Sequence, residues 1–548
     1  MLNYIYLENF RAFGEPTTIP LAPITLFFGE NSAGKTSILH ALTLLKQTAQ
    51  SEDRDAVLVA RDTRGLVDLG SFQEFIFDHK TDRVLRIGLG CSRSTVKTSH
   101  RDLRQRARVY NRFGFASGEY GKEWAFKQAS KTGDIVRHSI KLTNGKSATP
   151  MVTFFPVPPT ASSGASGDMD YEAAFKSFEM FAPTAESFPP AMVEDFLALW
   201  RQHAEGAAEL FKLDQASVLA AQVELAASAG PELIRSGRRE LKDWMLAARP
   251  TVTQAEFVAA LMGESDGNQV PVSGLFSTAS YVGRSIGARF TRLAPGCGAA
   301  GKAAAEALAQ HLFLNVSREV AKTDFAMRDA LQRYSPIGPF RTPAARLYTY
   351  SGTNPRGVGQ SGELVADFLH RDKDCLKRTN EWMKAFGIEY ELRLKGLGAR
   401  RSDVFEVRLV DTRRRPKLDI AFTDVGFGIS QMLPIVVQCV ATTNRIISIE
   451  QPEVHIHPRL QAEIGDLLVE CVRKNGHQFL IETHSEHLIL RLRKLVREKK
   501  LKASDLCVVH VRRGKKGSIA ERIRVNDDGS FADEWPGGFF PERIRELT

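Results

Sequence analysis

The sequence contains no run of about 18 or more apolar residues, the length that a membrane-crossing helix requires, so insertion into a bilayer is not expected. Its opening, Met1-Leu2-Asn3-Tyr4-Ile5-Tyr6-Leu7, lacks the basic and apolar regions of a secretory leader, and export is not expected either. Close cysteine pairs are missing too. Cys91, Cys297, Cys375, Cys439, Cys471 and Cys507 are scattered, which argues against a disulfide framework or a zinc ribbon. Together these absences fit a reducing, cytoplasmic setting. No internal repeat is evident, and residues 91–330 hold no sustained heptads of the kind that build a long coiled coil.

What is present is ample apolar content, 43% of 548 residues, enough for two or three folded units. The formal net charge of +10 is modest for this length. Two stretches concentrate it: Arg93, Lys97, Arg101, Arg104, Arg106, Arg108 and Arg112, and later Arg491, Arg493, Lys494, Arg497, Lys499, Lys500 and Lys502. Each reads equally as a nucleic-acid surface or as a solvated face with acidic neighbours. Along the chain, strand patterns over Asn3–Leu7, Ile24–Phe28 and Val84–Leu89 make a first lobe, residues 1–90. A loop rich in turn formers spans residues 156–167. Helical spacings follow at Val193–Trp200, Ala216–Ala227 and Ala303–Phe313, so residues 91–330 read as a mainly helical insertion. A second α/β lobe, 331–490, begins near Tyr334 with strands Val404–Val410, Ile446–Ile449 and Phe479–Ile481 and a helix over Ile429–Val440. A basic tail, 491–548, closes the chain.

Between the apolar run Ile24–Phe28 and a helical pattern lies Gly29-Glu30-Asn31-Ser32-Ala33-Gly34-Lys35-Thr36-Ser37, which fits the phosphate-binding loop G-x-x-x-x-G-K-[ST]. Its glycines let the backbone wrap phosphate oxygens, and the following helix offers its N-terminus to negative charge. Lys35 adds a cation, and Thr36 is suited to ligating Mg2+. Four stretches of the second lobe join this loop. Asp424-Val425-Gly426-Phe427-Gly428-Ile429-Ser430-Gln431 reads as glycines and a serine preceding a helix, with N–H groups suited to a terminal phosphate. Ile446-Ile447-Ser448-Ile449-Glu450 is an apolar strand delivering an acid, as an Mg2+ site needs. In Glu453-Val454-His455-Ile456-His457-Pro458 the two histidines lack a third ligand, and a structural or subunit-contact role is preferred to a metal site. Finally, Thr483-His484-Ser485 places an imidazole after a buried strand, where it can meet a γ-phosphate.

In that order the strings resemble Walker A, an ABC-type signature, Walker B and a switch histidine. The chain is similar to ABC-type AAA family ATPases of the OLD-like or RecF/SMC-related class, and among them to the PtuA ATPases of bacterial antiphage defence, in Septu and retron-associated Septu systems. The resemblance covers roughly the first 90 and the last 215 residues. It implies an α/β fold: an ABC-type P-loop NTPase head split by a large insertion, with ATP and Mg2+ as cofactors. It implies a head-to-head dimer, or a higher oligomer, with ATP between the loop of one subunit and the signature of the other. In that scheme Asn31, Ser32, Gly34, Lys35 and Ser37 cradle phosphates, Thr36 and Glu450 hold Mg2+, and His484 meets the γ-phosphate. Gly428, Ser430 and Gln431 complete the partner's site, and Arg11, in Asn9-Phe10-Arg11, contacts nucleotide. Gln73 reads as a surface polar residue more readily than as a Q-loop glutamine.

One departure stands out. Active heads place a catalytic glutamate after the Walker B acid, whereas here Glu450 is followed by Gln451, whose amide orients water but cannot serve as a general base. Slow hydrolysis is expected, or Glu453, carried by the turn at Pro452, substitutes. OLD-type nucleases append an acidic Toprim domain, for which the chain after Ser485 is too short, and His100, His203 and His311 lack HNH-like spacing. No intrinsic nuclease is expected. The implied partners are a separate HNH-type, PtuB-like nuclease and, in retron systems, a reverse transcriptase with its RNA–DNA product. The competing readings are a RecF/SMC-like DNA-repair clamp, which would bind nucleic acid directly, and a transporter ATPase, against which the large insertion counts.

Overall fold

Ile24–Gly29 is apolar and buried along almost its whole length, the mark of a strand covered on both faces by helices. It is β3 of a computed structural model that describes residues 1–53, 56–62, 65–93, 118–130, 132–143, 145–146, 150–156, 179–183, 270–273, 275–277, 320, 322–397 and 403–535. The chain divides into two units. One holds Met1–Gln47, Ala60–Ile87 and Asp329–Thr548; the other holds Thr48–Val59 and Gly88–Arg328.

The first unit opens with the antiparallel pair β1 (Leu2–Glu8) and β2 (Thr17–Pro20), followed by β3 and α1 (Lys35–Gln50). A short helix, α2 (Phe72–Phe75), carries Gln73 on the surface, as expected for a plain polar residue. The unit's main sheet has six strands. In spatial order they are β11 (Tyr334–Ile337), β16 (Ile446–Glu450), β17 (Gln478–Glu482), β3, β18 (Leu506–Gly514) and β19 (Gly517–Ile523). The first five run parallel and β19 returns antiparallel. A smaller antiparallel sheet is formed by β12 (Tyr348–Thr349), β13 (Tyr390–Gly396), β14 (Val404–Asp411) and β15 (Leu418–Ala421). Helices α3 (Val365–Arg371), α4 (Lys373–Ala385), α5 (Phe427–Ala441), α6 (Pro458–Asn475) and α7 (Glu486–Arg497) share one apolar core with these sheets. Their ends are written locally. Asp372 caps α4, Pro458 opens α6 and Gly476 closes it in the left-handed conformation, and Ser485 caps α7.

The second unit's described strands are antiparallel: β5 (Gly118–Gln128), β6 (Ile135–Thr143), β7 (Pro150–Pro156), β8 (Glu179–Pro183), β9 (Val270–Ser273) and β10 (Phe276–Ser277), each pairing with the next. β4 (Leu85–Arg93) precedes them. Lys122 is buried there in an ion pair with Asp324, and its ammonium also donates to the Leu275 carbonyl at 3.2 Å.

Three expectations change. The helical stretches expected within 193–313, and most of the first basic cluster, lie outside the described residues; the described part of the insertion holds strands together with a helical stretch at 322–330. The described part of the tail expected over 491–548, up to residue 535, is not separate, because α7 runs through its start and β18 and β19 extend the phosphate-loop sheet. A basic helix reads as an ending in sequence, whereas strand pairing across the whole chain places it beside β3. The second basic cluster is largely partnered: Arg491 with Asp466, Lys494 and Lys500 with Glu498, while Arg493 and Lys499 donate to the carbonyls of Gly529 and Asp527. These acidic neighbours agree with the solvated-face reading.

Candidate nucleotide site

Parallel strands end together, and three of them deliver the chemistry. β3 runs into the loop Gly29–Thr36, β16 ends in Glu450, and β17 between them ends in Glu482, directly paired with Glu450. The loop's shape depends on its glycines. Gly29 sits at φ +141°, where an added Cβ would lie 1.9 Å from the Val511 carbonyl oxygen. Gly34 sits at φ +99°, with Ala12 and Ser518 against the same position. Ser32 also adopts positive φ, +58°. The Ser518 hydroxyl donates to the Ala33 carbonyl at 2.6 Å, so β19 braces the loop from outside the motif. Asn31 and Ser32 are exposed; Ser37 is buried, and its amide donates to the Gly34 carbonyl at 3.1 Å. The Lys35 ammonium donates to the carbonyls of Gly29 and Glu30 at 2.9 and 2.7 Å, spanning the loop. Burial lowers its pKa, against the opposing pull of Glu482, Glu453 and Glu30.

The acids sit close. Burial pushes the Glu450 carboxyl up to about 7, with neighbouring Glu482 acting in the same direction and Arg11 and Arg341 against it. Glu482 is 4% exposed, and burial raises its pKa as well. Its Oε1 accepts from the Thr36 hydroxyl at 2.9 Å, while its Oε2 is buried without a hydrogen-bond partner.

Gln451 turns the chain at φ +44°, its amide donating to the Glu482 carbonyl at 2.8 Å. Pro452 is buried, and Glu453 then accepts from the Thr483 hydroxyl at 2.7 Å and the His484 amide at 2.6 Å, one bond on each carboxylate oxygen. The sequence offered Glu453 as a substitute base; in the fold it braces the segment that carries His484. His484 lies at the surface, and partial desolvation together with nearby Lys35 lowers its pKa, favouring neutral imidazole, despite Glu453. His457 accepts from the Arg459 amide at 3.3 Å as the cap of α6, a structural use of the His-x-His pair.

The signature differs from expectation in position. Gly426 is the N-cap of α5, so Gly428 and Ser430 lie inside the helix rather than before it. The sequence's apolar periodicity begins only at Ile429 and hid the first turn. Gly428 packs where a Cβ would meet the His455 carbonyl at 2.9 Å, and Ser430 and Gln431 are buried. Arg11, at φ +49°, donates through Nη1 to His40 Nδ1 on α1. Burial and the Arg11 charge bring His40 down to about 4, which leaves a neutral ring able to accept that bond.

Three participants escaped the sequence reading. Glu482 could have been found, since Ile481-Glu482 repeats the apolar-strand-then-acid pattern of Ile449-Glu450. His40 and Arg341 carry no such signal. Arg341, 4% exposed, donates to the carbonyls of Gln431 (3.3 Å), Glu450 (3.0 Å) and Gln451 (3.4 Å), tying α5 to the end of β16. Burial lowers its pKa to about 10, with Glu453 and Glu450 opposing.

Residues 1–122 and 370–489 match the family model of an AAA ATPase domain. The match falls in two segments separated by residues 123–369. The loop, Glu450 and Glu482 all lie within the matched segments, and Arg341 lies between them. Comparison with curated proteins gives no match. Among solved structures, the chain is similar to the SMC head domain from Thermotoga maritima, with 9% identity over 96% of this chain and 99% of that one and a TM-score of 0.34. It is also similar to the Smc head domain with an extended coiled coil, bound to the C-terminal domain of ScpA, from Pyrococcus furiosus, with 10% identity over 100% and 98% and a TM-score of 0.36. The residues at the strand ends are compatible with a nucleotide and Mg2+. The loop admits close backbone approach only because glycines stand at 29 and 34, and Glu482 holds a buried oxygen with no partner.

Proposed function

We propose that this chain is a regulatory ATPase of an antiphage defence complex that binds ATP with Mg2+, dimerises head to head, hydrolyses ATP slowly and controls a separate HNH-type nuclease. The observation that carries the reading is the convergence of Lys35, Thr36, Glu450 and Glu482 at the ends of three neighbouring strands, with a glutamine at the next position. Lys35 and the loop amides are suited to the β- and γ-phosphates, Thr36 and Glu450 to Mg2+, and His484 to the γ-phosphate. The cation would neutralise phosphate charge. Gln451 supports slow turnover because an amide cannot take a proton from water. The defence assignment is supported by the order and wording of the motifs. The partnered basic cluster on α7 weakens the competing DNA-clamp reading.

The test is copurification. The tagged chain, expressed with its genomic neighbours, should bring down a nuclease whose cleavage activity changes when ATP is supplied. Recovery of DNA alone, without a protein partner, would favour the clamp and overturn the nuclease-control reading.

A further inference from the structure

We infer that Glu482 is a working part of the cation site: it orients the Thr36 hydroxyl through one carboxylate oxygen and offers the other to the cation or its water shell. The inference rests on the nucleotide-binding reading above and deepens it. A threonine hydroxyl that ligates a cation through an oxygen lone pair still has a proton to donate, and the direction of that proton fixes where the lone pairs point. Glu482 Oε1 takes that proton at 2.9 Å, so the observed bond is compatible with ligation and sets its geometry.

The second oxygen supplies the independent observation. Glu482 is 96% buried by its 4% exposure, and its Oε2 has no hydrogen-bond partner, a costly arrangement for a carboxylate that serves only packing. It is also the register partner of Glu450, so two carboxyl groups end adjacent parallel strands. Placing two acids side by side in a buried site is unfavourable unless positive charge joins them. Lys35 is near Glu482, but its ammonium donates to the Gly29 and Glu30 carbonyls. Arg11 and Arg341 lie near Glu450, but among the described residues no group bonds Glu482 Oε2. A hard divalent cation, which seeks oxygen ligands, supplies the partner that this oxygen lacks. The placement also links cation and switch. Glu482 is followed by Thr483 and His484, both held by Glu453, so a cation held at Glu482 is two residues from the histidine suited to the γ-phosphate.

The test compares Glu482→Gln with the native chain, using Mn2+ as a spectroscopic stand-in for Mg2+. Mn2+ affinity in the presence of a non-hydrolysed ATP analogue is read by electron paramagnetic resonance, and analogue binding in EDTA is read separately. Glu482→Gln keeps size and an acceptor oxygen but removes the charge. We expect Mn2+ affinity to fall about tenfold or more, while metal-free nucleotide binding stays the same or tightens and the melting temperature does not drop. A Thr36→Ala, Glu482→Gln double variant should lose less than the sum of the single losses, because both act through one hydrogen bond. Mn2+ affinity within twofold of the native chain would overturn the inference. Failure of the native chain to bind the analogue at all would instead overturn the nucleotide reading, so the two failures are distinguishable.

Discussion

In the proposed function Gln451 stands at the general-base position, and its backbone is well held. The left-handed turn at φ +44° is tied to Glu482 by the Gln451 amide, so side-chain chemistry at 451 can change without moving the strand ends. Glu453, the nearest replacement in sequence, has one hydrogen bond on each oxygen and braces the His484 segment. If slow hydrolysis originates at position 451, Gln451→Glu should raise single-turnover hydrolysis by about 10²-fold, the low end of what a positioned general base contributes. An unchanged single-turnover rate would sink this explanation and place the slow step elsewhere. The residue scale is also where sequence reading served best. Gly29, Gly34, Lys35 and Thr36 fall within eight consecutive residues, and their spacing alone predicts the glycine-dependent loop conformation that the structure has. Glu482 pairs with Thr36 across 446 positions, and nothing in the order of residues says that β17 lies between β3 and β16.

At the scale of elements, the loop is shaped by pieces far from its own motif. β18 lies against the position of Gly29, β19 supplies Ser518, and both come from the stretch that composition assigned to a separate basic tail. Strand existence was legible from apolar runs at 24–28, 446–449 and 479–481; sheet membership was not, because pairing partners are chosen by the whole fold. Helix α5 shows the same limit, since its first turn lies before the apolar pattern starts. Arg341 is the clearest case. Three carbonyls from two elements converge on one guanidinium, in a loop whose sequence, Gly338-Pro339-Phe340-Arg341, announces only a turn. Truncating it would leave those acceptors without their buried donor, so Arg341→Ala should cost on the order of 3 kcal/mol of stability. Arg341→Lys, a single compact donor group, should recover only part of it. Thermal melting checks both; two variants that melt like the native chain would show that α5 and β16 do not depend on this clamp.

At the scale of the whole molecule, the proposed dimer makes a demand on the surface that one chain can be asked to meet. A partner's phosphates must approach the N-terminus of α5, where unpaired amides and the helix dipole favour negative charge. Gly426 caps that helix at φ −50°, a conformation open to any residue. It is exposed, and an added Cβ would meet nothing within 4 Å. Gly426→Glu should therefore fold normally, and its carboxylate is even favourable at a helix N-terminus in the single chain. The same carboxylate would repel the partner's terminal phosphate. With ATP and Mg2+, light scattering should report a dimer for the native chain and a monomer for Gly426→Glu, while ATP binding per chain is retained. Lys35→Ala should also stay monomeric, but through loss of nucleotide, which equilibrium binding separates from the first case. A Gly426→Glu chain that dimerises as readily as the native one would mean that the α5 terminus does not face a bound nucleotide, and the head-to-head arrangement would fall with it.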